Sequence, residues 1–258
     1  TQGYSRDHRP DLNQVMLALI VEHQAGIPLL MQPLSGNSND GKVFGQVVSD
    51  HIAHLQTTYS PTYLVADSAL SNAANLHKLA ETSLTWITRV PATLTAAQEV
   101  LAQAQPEAMA ALPNGYRYAV VASSYGGVAQ RWVLFSSEHR QPQAQRTVDK
   151  QWRQQSDQEV RAFKTLCRTA FACEADAQQA LTRFEAGLQT TFLHDSTVCP
   201  TPHYGKRGRP GPGAQPAQIV YHLAGALASR LTDRQARVDQ HSCFILATNE
   251  LDEGQVSA

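Results

Sequence analysis

The sequence predicts an α/β fold, a mixed sheet flanked by helices, and three observations carry that prediction. Short apolar strands, Tyr63-Leu64-Val65-Ala66 and Thr85 to Val90, alternate with helically spaced stretches, the pattern of strands that pair partly in parallel. Two apolar runs meet at Ala25-Gly26 in the manner of a β-hairpin. The 258 residues, 42% of them hydrophobic and 17% charged, are enough to bury a large core, which excludes a disordered chain and a disulfide-stapled miniprotein.

The hairpin arms run from Leu12 to Val21 and from Ile27 to Leu34, and their apolar content predicts that they feed a mostly buried sheet. The turn residues Ser35 to Asp40 end the second arm. From Gly41 to Gln56, Phe44, Val47, Val48, Ile52 and Leu55 recur at helical spacing, with Ser38 to Asp40 as candidate N-caps. The strand Tyr63 to Ala66 stops at Asp67, Asn72 to Glu81 reads as a helix, and Pro91 closes the alternating strand Thr85 to Val90. Further on, an Ala-rich helical stretch from Leu94 to Leu112 is expected to break at Pro106. Tyr116 to Ser123 and Val128 to Ser136 form a second hairpin around Gly126-Gly127. A Gln-rich helix from Val148 to Leu166, a helix from Asp176 to Gln189 and a Pro/Gly/basic segment from Thr201 to Pro216 follow. Ile219 to Leu227 reads as a strand or strand-helix piece, and Ser242 to Ala247 as a strand.

Charge names no partner. Lys and Arg number 21 against 22 Asp and Glu, and both signs divide almost evenly between the first 150 residues and the rest, so nucleic-acid binding would rest on local patches. The longest apolar run, Val15 to Val21, is far short of a bilayer span, and no membrane partner is expected. Cys167, Cys173, Cys199 and Cys243 lack Cys-x-x-Cys spacing, which argues against a zinc ribbon and fits reduced cytosolic thiols that are buried or idle.

Four places are candidates for chemistry. Asp67, at the C-terminal end of an apolar strand, stands where α/β sheets hold functional groups, and its carboxylate suits a hard cation such as Mg²⁺; the simpler role for Asp67-Ser68 is to cap the next helix. Arg6, His8 and Arg9 precede the first strand and suit phosphate contacts. Lys206, Arg207 and Arg209 lie in an Arg-Gly-Arg-Pro segment like an AT-hook, which inserts Arg into the minor groove. His51 and His54, three apart on a helix, have the spacing of some metal sites but no Cys or further His nearby.

Taken in order, several stretches resemble the DDE transposases of bacterial insertion sequences, in the branch whose ribonuclease H-like core is interrupted by a long β-containing insertion. They are Gly3 to Leu12, Ile27-Pro28 leading to Gly36 to Asp40, Leu64 to Leu70, Trp86 to Pro91, Lys206 to Pro210 and Phe244 to Asn249. The resemblance implies a ribonuclease H-like mixed sheet with flanking helices, divided into a partial core at 1–92, an α+β insertion at 93–240 and a return to the core at 241–258. It also implies metal-dependent DNA cleavage and strand transfer, in which three carboxylates hold two Mg²⁺ (or Mn²⁺) ions. Asp67 would be the second carboxylate and a metal ligand. The first, in an Asp-x-Thr strand, would precede Thr1, and the Glu-bearing helix would follow Ala258. The expectation is therefore an internal fragment, inactive by itself. Arg6, His8, Arg9, Arg89, Lys206, Arg207 and Arg209 become candidate DNA contacts. The implied partners are double-stranded DNA, as element ends and target, and a second copy of the complete enzyme, in a bacterial cytoplasm at the nucleoid. Two alternatives stand beside this: a catalytically inert DNA-binding remnant, and an unrelated metal hydrolase using His51, His54 and Asp67.

Overall fold

A computed structural model describes residues 11–59, 63–205, 211 and 213–256. The chain forms two compact units, Thr1–Ser137 with Cys243–Ala258, and Glu138–Ser242.

In the first unit, β1 (Val15–Val21) and β2 (Pro28–Ser35) pair antiparallel as a two-stranded sheet of their own. The turn is held by the Glu22 carboxylate, which accepts the N–H groups of Gln24 and Ala25 at 2.6 and 2.8 Å. The hairpin is as expected, but its burial is not. Among the described residues no further strand pairs with it, so Val15, Leu17, Leu19 and Val21 stay exposed.

Next comes α1 (Asp40–Tyr59), whose first turn is capped by Asn39: its Oδ1 accepts the Lys42 N–H at 3.1 Å. The segment β3 (Tyr63–Ala66), α2 (Ala73–Ala80) and β4 (Thr85–Val90) makes a β-α-β unit with parallel strands, and Ala66 lies opposite Thr88. The Ala-rich stretch is helical only over α3 (Thr95–Ala102), ending four residues before Pro106. Pro106–Ala108 is a single 3₁₀ turn, and Ala110–Leu112 is strand β5. β6 (Tyr116–Ser123) and β7 (Gln130–Ser137) form the second hairpin.

The chain then builds the second unit from α4 (Gln141–Arg168), α5 (Glu174–Ala186), β8 (Thr191–His203), β9 (Gln218–Ser229) and α6 (Leu231–Ser242). It returns to the first unit as β10 (Cys243–Thr248).

The large sheet runs β3-β4-β10-β7-β6-β5, parallel at β3/β4 and antiparallel elsewhere. Trp86, Ile245 and Trp132 lie fully buried on β4, β10 and β7, against Leu70, Leu76 and Leu79 around α2. Each such side chain contributes about 1.5–3 kcal/mol of burial, which makes this the main core. The family resemblance implies an insertion from 93 to 240. In the structure β5, β6 and β7 hydrogen-bond into the same sheet as β3 and β4, because Trp132 and Leu134 share its core, and the compact units divide after Ser137 and after Ser242.

The two helices α1 and α2 approach closely at Gly45. A Cβ there would sit 2.5 Å from Asn75 Oδ1, and the Gly45 carbonyl accepts the Lys78 ammonium at 3.1 Å.

The second unit has two cores. Ala144, Val148 and Trp152 of α4 meet Val238 of α6, with the Arg237 guanidinium 5.2 Å from the Trp152 ring centroid. Phe163, Ala177, Leu181 and Leu223 join the other end of α4 to α5 and β9. Between them Glu159 is buried, and its carboxylate accepts the N–H groups of Gln189, Thr190 and Thr191 and the hydroxyls of both threonines. Burial acts to raise its pKa, but these bonds outweigh burial and hold it down at about 2.

No disulfide joins the four cysteines, all of them among the described residues. Cys243 is buried and Cys173 exposed, and Cys173 is not idle: its Sγ caps α5 by accepting the Asp176 N–H at 3.4 Å. Among the described residues no helix is long and apolar enough to cross a membrane.

Candidate functional site

The four-residue strand β3 delivers Asp67 to the carboxyl end of the parallel pair β3/β4, the end at which α/β sheets place ligand-binding groups. Asp67 is exposed there. Its backbone carbonyl accepts a 2.6 Å hydrogen bond from the Thr88 hydroxyl, and Thr88 is itself 1% exposed on β4. Its side-chain Oδ1 accepts the Ala69 N–H at 2.9 Å, an Asx turn that starts the connection to α2. Leu70, fully buried, anchors that connection and donates its N–H to the Asp67 carbonyl at 3.3 Å.

The capping role open to Asp67 on sequence belongs to another residue. Asn72 is the N-cap of α2, its side chain accepting the Asn75 N–H at 3.0 Å. Asn75, 3% exposed, donates to the carbonyls of Gly41 and Ala69, and Asn72 also donates to Ala69. Three helix and loop ends are thus tied together beside Asp67, and its carboxylate is not consumed by the helix.

From the other side Asn249, at the end of β10, accepts the Trp86 N–H at 2.9 Å and donates to the Leu84 carbonyl at 3.1 Å, fixing the start of β4. Arg89 is exposed on β4, one residue beyond Thr88 and therefore on the opposite face of the sheet.

A family model for the transposase DDE domain matches residues 1–168 of this chain. The chain belongs to the DDE transposase family. Neither the curated proteins nor the solved structures contain a match. The matched segment takes in Asp67, Arg89 and the whole of α4.

DDE transposases typically act with divalent metal ions. Asp67 offers the hard oxygen donor such an ion takes. Among the described residues, however, no group of three or more His, Cys, Asp and Glu side chains is gathered to hold a metal. Asp67 alone therefore does not make such a site. The same finding removes the alternative hydrolase site, since His51 and His54 on α1 are not clustered with Asp67.

Of the other candidate DNA contacts, Arg6, His8, Arg9, Lys206, Arg207 and Arg209 lie outside the described residues. Thr88, Asn72, Asn75 and Asn249 were not singled out by sequence. Their signal is short polar side chains at strand and helix ends, which is common to many turns and so went unread.

Proposed function

We propose that this chain carries part of the catalytic core of a DDE transposase, with a ribonuclease H-like sheet, and that Asp67 is one of the carboxylates that bind divalent metal for DNA cleavage and strand transfer. The observation that supports it is the setting of Asp67, at the carboxyl end of β3 with its backbone pinned by Thr88 and the α2 cap supplied instead by Asn72. Mg²⁺ or Mn²⁺ is the ion this reading assigns, because a carboxylate is a hard donor and phosphoryl transfer needs charge at the entering and leaving oxygens. Duplex DNA is the partner, Arg6, His8, Arg9, Arg89, Lys206, Arg207 and Arg209 are backbone contacts, and the complete enzyme acts as a dimer. The second compact unit is the insertion, an excursion between the neighbouring strands β7 and β10.

The 258 residues alone bind DNA without cutting it on this reading, since among the described residues no three metal-ligating side chains gather to fix the ions. Incubation of the purified chain with supercoiled and linear DNA in Mg²⁺ and in Mn²⁺ tests it. Retarded DNA that stays intact is the expected result. Strand cleavage that disappears in Asp67→Ala would overturn the inactivity while keeping the residue assignment, and absence of any DNA retention at low salt would overturn the DNA reading.

A further inference from the structure

The longest helix has one face that the fold does not use. Along α4, the buried side chains Ala144, Val148, Trp152, Glu159 and Phe163 define one stripe. On the opposite face stand Arg146, Lys150, Arg153, Asp157, Arg161, Lys164 and Arg168, all exposed. Their spacing of four, three, four, four, three and four residues keeps them on one line, six cations and one acid. Among the described residues no ion pair within 4.0 Å joins any of the six to a carboxylate, although the pKa of Asp149, lowered chiefly by its hydrogen bond from Arg234, is lowered further by nearby Arg153.

Four of the six consecutive pairs in that line work against the helix, and only the two that include Asp157 support it. Arg146 and Lys150, Lys150 and Arg153, Arg161 and Lys164, and Lys164 and Arg168 are like-charge neighbours at i,i+3 or i,i+4, which weaken an isolated helix. A solvated face with no partner ordinarily mixes the two signs. The charge is also segregated on a larger scale. The unit Glu138–Ser242 has 14 Lys and Arg against 10 Asp and Glu, a balance of +4, whereas the remaining residues have 7 against 12, or −5.

From Arg146 to Arg168 the helix rises by about 33 Å, close to one turn of B-DNA. Exposed Gln143, Gln154 and Gln158 flank the line, side chains suited to hydrogen bonds with phosphate and sugar oxygens. A membrane-surface helix would need an apolar face turned outward, and the apolar face of α4 is buried in its own unit.

We infer that the exposed face of α4 is a docking surface for the phosphate backbone of double-stranded DNA, contacted by Arg146, Lys150, Arg153, Arg161, Lys164 and Arg168 without base readout. The inference rests on the DNA-binding reading above and assigns it to a helix. Asp157, in the middle of the line, repels phosphate and limits the affinity.

The test is fluorescence anisotropy of the whole chain with a labelled mixed-sequence duplex of ~20 base pairs, about two turns long, over a range of salt. The variant Lys150→Gln/Arg153→Gln/Arg161→Gln/Lys164→Gln should weaken binding by about tenfold or more and flatten the log-log salt slope by about 3 to 4. Asp157→Asn, a mild surface change, should tighten binding by about twofold or more and leaves the test open if the quadruple variant does not fold. Unchanged affinity and slope in both variants, with the parent chain binding normally, would overturn the α4 assignment alone. Failure of the parent chain to bind duplex even at low salt would overturn the DNA reading itself. Loss of binding to vesicles containing phosphatidylserine in the quadruple variant, with duplex binding intact, would assign the face to an anionic lipid surface instead.

Discussion

The hydroxyl of Thr88, buried on β4, donates a 2.6 Å hydrogen bond to the backbone carbonyl of Asp67 just past the end of β3. Because β3 and β4 are parallel and Ala66 lies opposite Thr88, the bond continues the pairing one residue beyond the last strand position. An exposed carboxylate thereby sits on a backbone that the sheet holds still. Thr88→Val keeps the shape of the side chain and removes the donor. It should lower stability by about 1–2 kcal/mol in a urea titration and speed hydrogen exchange at Ala69 and Leu70. Equal stability and unchanged exchange would mean that the bond does not position Asp67.

The close approach of α1 and α2 gives a second prediction. A methyl group at residue 45 meets the buried Asn75 amide at 2.5 Å, and Asn75 cannot retreat without releasing the Gly41 and Ala69 carbonyls. Gly45→Ala should cost roughly 1–3 kcal/mol despite the better helix propensity of alanine. A neutral or stabilising result would show that the two helices separate at no cost.

Much of the first unit was legible because its chemistry is local. Strands β3, β4, β6, β7 and β10 announce themselves by apolar alternation between Pro, Gly and Asp punctuation, and α1 and α2 by spacing and caps. The second unit was harder to read. β8 is largely exposed and contains Pro200 and Pro202, so it shows no alternation, and α6 buries only Val238 among its apolar side chains, which leaves no stripe to see. Membership of β5, β6 and β7 in the main sheet depends on pairing β7 with β10, more than a hundred residues away in sequence, and no local pattern encodes that. At the candidate site, Asp67 was readable from its place after an apolar strand, whereas Thr88 and Asn249 act through contacts that only the sheet register creates.

Glu159 links stability to pH. Its folded pKa, about 2, lies below the ordinary value of 4.5, so its contribution is full above pH 4.5 and disappears as the pH falls toward 2. The shift corresponds to roughly 3 kcal/mol. Denaturant titrations from pH 6 down to 2 should show this loss, and Glu159→Gln should be less stable at neutral pH and flatter across that window. An identical pH profile for both proteins would contradict the role given to this carboxylate.

The proposed role of Asp67 in metal-dependent DNA chemistry is open to measurement. Its most direct test is to express the protein encoded by the uninterrupted reading frame that contains these residues, and to compare it with its Asp67→Asn variant for nicking of element-end DNA in Mg²⁺. Asp67→Asn should lose nicking by about a thousandfold or more while still binding the duplex, since a missing metal ligand removes charge stabilisation at the reacting phosphate and leaves the basic contacts in place. Nicking by Asp67→Asn at the parent rate would contradict that role.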